Sequence, residues 1–290
     1  MSWTGVPTAE EFAKDWAPVL SENESLHCLA WAAIARSSKA AEPPSKFRFF
    51  SLKGEHSPEA YAVLFAQKKE LVLSDMTAAQ AVELLPLIEQ VPLDVEELEG
   101  PVEAVTALAE AWSRSSSRSH STVMHQALHE VHDIEHPDTE GGHLRPATRE
   151  QQETVHRYLR GFVTDCFPKD NWSGEKIATR AERLLKERKG YLWLDASGEP
   201  VSMAAIVRES PNTASISLVY TPPKHRRRGH AARVVAALSQ AQLDAGKSAC
   251  NLHTDLANPT SNSVYYRIGY RVIQKLVRVR LLRSEASRQS

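Results

Sequence analysis

The chain has 290 residues, 42% hydrophobic and 24% charged, which allows one large or two ordinary domains with a normal core and excludes disorder as the dominant state. Its 35 Lys and Arg nearly cancel 36 Asp and Glu, so no global field draws it to nucleic acid or anionic lipid, and any anion site has to be local. Three scattered cysteines without a CxxC pair, no leader-like start and no run of about 18 apolar residues predict a soluble, unprocessed, cytoplasmic chain without a disulfide framework.

In chain order, the apolar spacing of Leu26, Leu29, Ala30 and Ile34 predicts a helix over 21–36. A polar, Pro-containing connection over 37–45 leads to two apolar runs, Phe47–Leu52 and Ala60–Phe65, which flank KGEHSPE as a hairpin. A short strand at Leu71–Ser74 precedes a helix at Thr77–Gln90, and a helix at Val102–Trp112 opens with Pro101 at its first turn. The low-complexity SRSSSRSHS (113–121) reads as a loop, and EHPDTEGGH (135–143) as a second break that separates a domain at 1–140 from one at 141–290.

Past that break the signals sharpen. HLRPAT forms a short strand, and Thr148 with Gln151 makes a capping box before a helix with Val155, Tyr158, Leu159, Phe162 and Val163 on one face. A second helix over 174–189 buries Ile177, Ala181, Leu184 and Leu185. YLWLD and VSMAAIV pair as antiparallel strands around a turn at 196–199. SISLVYT is a strand, KHRRRGH a basic turn, and a long helix follows to about Gly246; NLHT, a helix at Ser261–Ile268 and the alternating RVIQKLVRVRLL complete an α+β sheet with one strand-to-helix crossover.

The chemistry concentrates in SLVYTPPKHRRRGHAARVVAAL, where a strand ends at Thr221 and a helix starts near Gly229. A helix start offers unspent N–H groups and the positive end of the macrodipole, and glycine lets a phosphate come close. A bare Lys/Arg run is more often a solvated loop or nucleic-acid patch, but this one lies between a strand and a helix and no second basic cluster accompanies it. GxGxxG and GxxxxGK[ST] are both absent, which excludes the dinucleotide-binding and P-loop turns. The histidines of HQALHEVHDIEH (His125, His129, His132, His136) would make a stripe on a helix and scatter on a strand; the pattern is not HExxH, and no metal is expected.

Arg226, Gly229 and Ala231 fill the positions of (Q/R)xxGx(G/A), with Pro223 three residues ahead, and here the chain resembles the GNAT superfamily. LHTDLANPTSNSVYYRIGYR is similar to that family's LxVxxxNxxAxxxYxxxGF, through Leu252, Thr254, Asn258, Tyr265, Gly269 and Tyr270, with Thr254, Ser261 and Tyr270 departing in residue type. The resemblance covers about 143–282 and implies an α+β, α/β/α sandwich-like fold with a mixed, mostly antiparallel sheet. It also implies acetyl-CoA or another acyl-CoA lying between the fourth and fifth strands, with Val219, Tyr220 and Thr221 along the pantetheine arm. The pyrophosphate would lie on the turn Arg226, Arg227, Arg228, Gly229, His230, Ala231 and Ala232. Asn258 would bond near the pantetheine or cap the following helix.

The implied activity is transfer of an acetyl group to a primary amine, on a small molecule or a peptide; a non-catalytic acyl-CoA-binding module is the alternative. Tyr265 is the candidate acid for a thiolate whose free pKa is about 8.5. Tyr266 is the weaker candidate, and Asp255, Glu209 or a water chain could serve as base. Residues before 140 echo the plan without RxxGx(G/A), and the matching turn near LVLSDMTAAQ has neither Gly nor Arg. This half is therefore expected to be a smaller, degenerate GNAT-like lobe that shapes the acceptor pocket or a homodimer contact.

Overall fold

Alternation of side chains along strands and 3.6-residue spacing along helices sort the chain into helix–sheet–helix layers twice over. The structure, a computed structural model, describes residues 2–37, 46–55, 57–116, 118–167 and 172–283. The connection expected over 37–45 lies almost wholly outside the described residues, as do His56 and Ser117 of the two expected turns. Two compact units emerge, one of Met1–Leu128, Thr254–Asn258 and Val272–Ser290, the other of His129–His253 and Pro259–Arg271. The break expected at 135–143 is the loop after β6, whereas the units part within β6 itself.

In the first unit, β1 (Ser2–Val6), β2 (Phe47–Lys53), β3 (Pro58–Phe65) and β4 (Glu70–Leu73) run antiparallel in turn, β4 pairs in parallel with β5 (Glu97–Pro101), and β5 pairs antiparallel with β12 (Arg271–Arg283), beside which lies β6 (Arg118–Val131). The hairpin of β2 and β3 is as expected. Phe47, Phe49, Tyr61 and Val63 face α1 (Ala9–Glu22) and α2 (Cys28–Ser37). Phe50, Ala62, Leu64 and Leu98 face α3 (Ala78–Glu83), α4 (Leu85–Glu89) and α5 (Val102–Ser115) on the other side.

Four expectations change here. The helix expected over 21–36 is only α2; before it stands α1, capped by Thr8 and burying Phe12, Trp16 and Leu20, while the Asn23 carboxamide accepts from Leu26 N–H in the turn between them. The helix expected over 77–90 divides at Leu84, because Pro86 has no N–H to continue the helical ladder. Pro101 closes β5 as the N-cap residue of α5 and is not its first helical residue. The loop expected over 113–121 is instead the end of α5 and the start of β6, where Arg118 bonds Asp94 at 2.6 Å and the Val95 carbonyl at 3.0 Å.

The second unit follows its sequence closely. Its strands β7 (His143–Pro146), β8 (Gly190–Leu194), β9 (Pro200–Glu209) and β10 (Thr213–Tyr220) are antiparallel neighbours, and β10 is parallel to β11 (Ala249–Asp255). Leu192, Met203, Ala205 and Leu218 pack on one face against α6 (Gln152–Cys166) and α7 (Gly174–Lys186), which bury the residues their spacing predicts, Phe162 being only partly covered. Trp193, Ala204, Ile206 and Ile216 pack on the other against α8 (His230–Asp244) and α9 (Pro259–Arg267). Layers of helix, sheet and helix with a mixed, mostly antiparallel sheet are the α+β class expected.

Candidate active site

Strand β10 sets up the site by departing from regular pairing. Its register with β9 shifts after Ser215 and again after Ser217, and Leu218 adopts a left-handed φ of 56°. Such bulges bend a strand away from its neighbour. Parallel pairing with β11 is confined to Thr213, Ala214 and Ser215 against Ala249, Cys250 and Asn251; beyond them the strands separate. Among the described residues, Val219, Tyr220 and Thr221 thus lie beyond the last residue of β10 that pairs with β11. The Tyr220 carbonyl accepts from Ser202 Oγ at 3.1 Å and the Thr221 carbonyl from Arg226 Nε at 3.0 Å, so these two oxygens are already partly engaged.

The turn into α8 is held in an unusual conformation. Arg227 (φ 63°) and Gly229 (φ 77°) are both left-handed. Conformation, more than space, asks for glycine at 229, since a Cβ there would meet the Arg233 guanidinium only at an ordinary 3.6 Å. Gly229 is the N-cap residue and has no side chain to bond the first turn. The first helical bond is Arg233 N–H to the Gly229 carbonyl at 3.1 Å, so the N–H groups of His230, Ala231 and Ala232 have no acceptor inside the helix. Arg227 and Arg228 are exposed beside them. Arg226 is otherwise occupied: it pairs with Asp165 at the end of α6 and lies 5.8 Å from the Tyr220 ring centroid. The Tyr220 ring in turn packs on Gly161, where a Cβ would collide with its phenol end.

Tyr265 lies in α9, buried against Tyr270 with ring centroids 6.1 Å apart. Burial pushes its phenol up to about 12, a Ser261 hydrogen bond opposes the shift, and Cys166 nearby adds to it. It therefore keeps its proton throughout the neutral range. Tyr266 is 62% exposed, with Arg271 over its ring at 4.2 Å. Neither base candidate has a distinctive setting: Asp255 accepts from Ala257 N–H at 2.8 Å as a turn residue, and Glu209 pairs with Lys189 at 2.5 Å. The structure thus gathers Val219 to Thr221 and Arg226 to Ala232 along one strand and turn of the second unit, with Tyr265 in the same unit. Asn258 groups with the first unit, immediately before α9, its N–H donating to the Asp255 carbonyl at 3.0 Å.

The histidine-rich segment is mostly strand β6, which scatters its imidazoles. His129 is buried, His132 bonds Glu130 and the Ser248 carbonyl, and His136 bonds Gln240. Among the described residues, no three His, Cys, Asp or Glu side chains are placed to hold a metal ion, and no helix is long and apolar enough to cross a membrane.

Residues 196–279 match the family described as FR47-like protein. Among solved structures, an acetyltransferase of the GNAT family from Colwellia psychrerythraea has a TM-score of 0.55 at 11% identity, covering 98% of this chain and 100% of its own. A Drosophila protein has a TM-score of 0.67 at 16% identity, with coverage of 94% and 95%, and a GCN5-related N-acetyltransferase from Sphaerobacter thermophilus 0.58 at 15%, with 96% and 95%. The chain has the GNAT fold. At these identities the likeness is one of fold, and it extends over both units. No curated protein matches.

Around the turn into α8, several residues escaped the sequence reading. Arg233, Asp138, Glu140 and Asp165 all bond to it or to one another. Only Arg233 left a trace in the sequence, as a charge beside the apolar Val234, Val235 and Leu238 of a helix that buries all four.

Proposed function

We propose that the second unit is an acyl-CoA-dependent N-acyltransferase that passes an acetyl group from acetyl-CoA to a primary amine by direct attack on the thioester. One observation carries this reading: the bulged β10 parts from β11 after Ser215 and leads into an uncapped, left-handed turn at the start of α8. The parted end of β10, whose Tyr220 and Thr221 carbonyls are only partly engaged, suits an amide-bearing arm, and three helix N–H groups without an intrahelical acceptor, beside two exposed arginines, suit a diphosphate. Val219, Tyr220 and Thr221 would line the arm, and Arg227 to Ala232 would hold the diphosphate, with Arg226 bracing the turn from α6.

In the reaction, a neutral amine attacks the thioester carbonyl carbon, a C–N bond forms and the C–S bond breaks. The Tyr265 phenol, still protonated well above neutral pH, gives its proton to the departing sulfur and regains one from solvent. The amine sheds a proton to a base or water chain to which we assign no residue. The acceptor is a small molecule or a peptide amine. A reducing, cytoplasmic setting suits the three free thiols, and the first unit is assigned no acyl-CoA site.

The test is thermal unfolding with and without acetyl-CoA. A ligand at 100 times its Kd raises stability by about 2.7 kcal/mol, so a clear upward shift is expected. Gly229→Glu, which fills and charges the turn, should abolish the shift. Because a side chain at a left-handed position costs roughly 1–2 kcal/mol by itself, the comparison is of ligand-induced shifts, each against its own unliganded protein. No shift in the wild-type protein at millimolar acetyl-CoA would refute the reading.

A further inference from the structure

Arg233, one turn into α8, is only 6% exposed, yet every nitrogen of its guanidinium is engaged. Nε donates to the Asp138 carbonyl, Nη1 to the Arg228 carbonyl at 2.6 Å, and Nη2 pairs with Glu140 Oε1 at 2.6 Å. The fork thus joins two irregular segments: the turn with left-handed Arg227 and Gly229, and the loop after β6 with left-handed Glu140 (φ 46°) and Gly141 (φ 73°). His230 stands 3.4 Å from Nη1, and burial, then the Arg233 charge, push its pKa down, which leaves Arg233 to carry the buried positive charge beside the turn.

A peptide group is planar and trans, so its carbonyl and N–H point in opposite directions. Holding the Arg228 carbonyl inward therefore turns the Gly229 N–H outward, to the side where the helix start also directs its unspent N–H groups. We propose that Arg233 is the positioning residue of the diphosphate-binding turn: it fixes the Arg228–Gly229 peptide so that the Gly229 N–H is presented to the bound diphosphate, and it makes the Asp138–Glu140 loop part of the same construction. This rests on the acyl-CoA reading above and adds to it a residue that touches no substrate. It also explains why an arginine occupies a buried helix position, where lysine could supply charge but not a three-way fork.

The experiment compares two acyl donors, acetyl-CoA and acetyl-pantetheine, which lacks the diphosphate. By calorimetry, Arg233→Met should weaken acetyl-CoA binding at least about tenfold, the scale of losing charge-assisted bonds. KM for acetyl-CoA should rise in parallel while kcat at saturation stays within about twofold, and kcat/KM for acetyl-pantetheine should barely change. Arg233→Lys should restore little. Wild-type affinity in Arg233→Met, or an equal loss with both donors, would overturn the proposal. Should Arg233→Met fail to fold, Glu140→Gln, which alters an exposed carboxylate, decides: a two- to threefold loss of acetyl-CoA affinity is expected, and no change would overturn it. Failure of the wild-type protein to bind acetyl-CoA would remove the acyl-CoA reading and this inference with it, whereas tight wild-type binding with an indifferent Arg233→Met would remove this inference alone.

Discussion

Among the described residues, each unit has a crossover between parallel strands, from β4 through α3 and α4 to β5 in the first and from β10 through α8 to β11 in the second. In the first, Thr77 Oγ1 accepts from Gln80 N–H at 3.3 Å and Gln80 Oε1 accepts from Thr77 N–H at 2.9 Å, a capping box made by the chain's own side chains. The strands there also stay close to their ends: a Cβ at Gly100 would lie 2.9 Å from the Leu73 carbonyl. In the second, Gly229 offers no cap and the strands part after Ser215. The first crossover thus caps its helix start with its own side chain, whereas the second leaves its first N–H groups without an intrahelical acceptor beside a left-handed turn and parted strands, and these features act together to make the difference.

The sharpest way to break this contrast is Tyr265→Phe. If the open crossover is catalytic, kcat should fall by about 10²–10⁴ with acetyl-CoA affinity unchanged, the usual range for losing a positioned acid. Steady-state kinetics beside calorimetry separates the two quantities. Tyr61→Phe, the like change in the first unit, should leave both alone although it strips His27 Nδ1 of its 2.8 Å partner. Undiminished turnover in Tyr265→Phe would move the proton donor elsewhere and leave the open turn as a binding device.

The next effect belongs to the first unit and to acid. Burial lowers His27 to about 4 from an ordinary 6.5, with Asp75 opposing. The folded unit holds the imidazole neutral while the unfolded chain protonates below pH 6.5, so its contribution is present above pH 6.5 and is lost as pH falls towards 4. The loss is up to about 3 kcal/mol. Hydrogen exchange of β2 and β3 amides at pH 7 and pH 4.5 should show protection falling in the wild-type protein and falling less in His27→Gln. Amides of β9 and β10 in the second unit should not distinguish the two proteins. Equal acid sensitivity of β2 and β3 in both would remove His27 as the cause.

The units also differ in how far they could be read from sequence. Helix α7 buries Ile177, Ala181, Leu184 and Leu185 as its periodicity says, because each signal lies within a turn or two of its neighbour. Strand β5 was invisible: Glu97 and Glu99 make it look like a loop, and their partners Arg280 and Arg278 arrive only on β12, 183 and 179 residues away. Helix α1 hid behind Pro18 in its middle. The site divides in the same way. Gly229 and Tyr265 stood in short motifs, whereas Asp165, 61 residues before Arg226, and Asp138, 95 before Arg233, have roles that only folding creates.

The smallest expected effect tests the contrast at its origin. Thr77→Ala removes the side-chain acceptor at the start of α3 and should cost the first unit about 1 kcal/mol, read from exchange of its slowest amides. It should not change the stoichiometry of acetyl-CoA binding by calorimetry, expected to be one per chain. Emptying the cap frees an N–H but supplies neither the left-handed turn nor the parted strands, and α3 runs only six residues, which gives it a weaker dipole to offer than α8. A second equivalent of acetyl-CoA bound by Thr77→Ala would mean that the cap alone had closed the first crossover, and the parted strands would then lose their part in the explanation of the second.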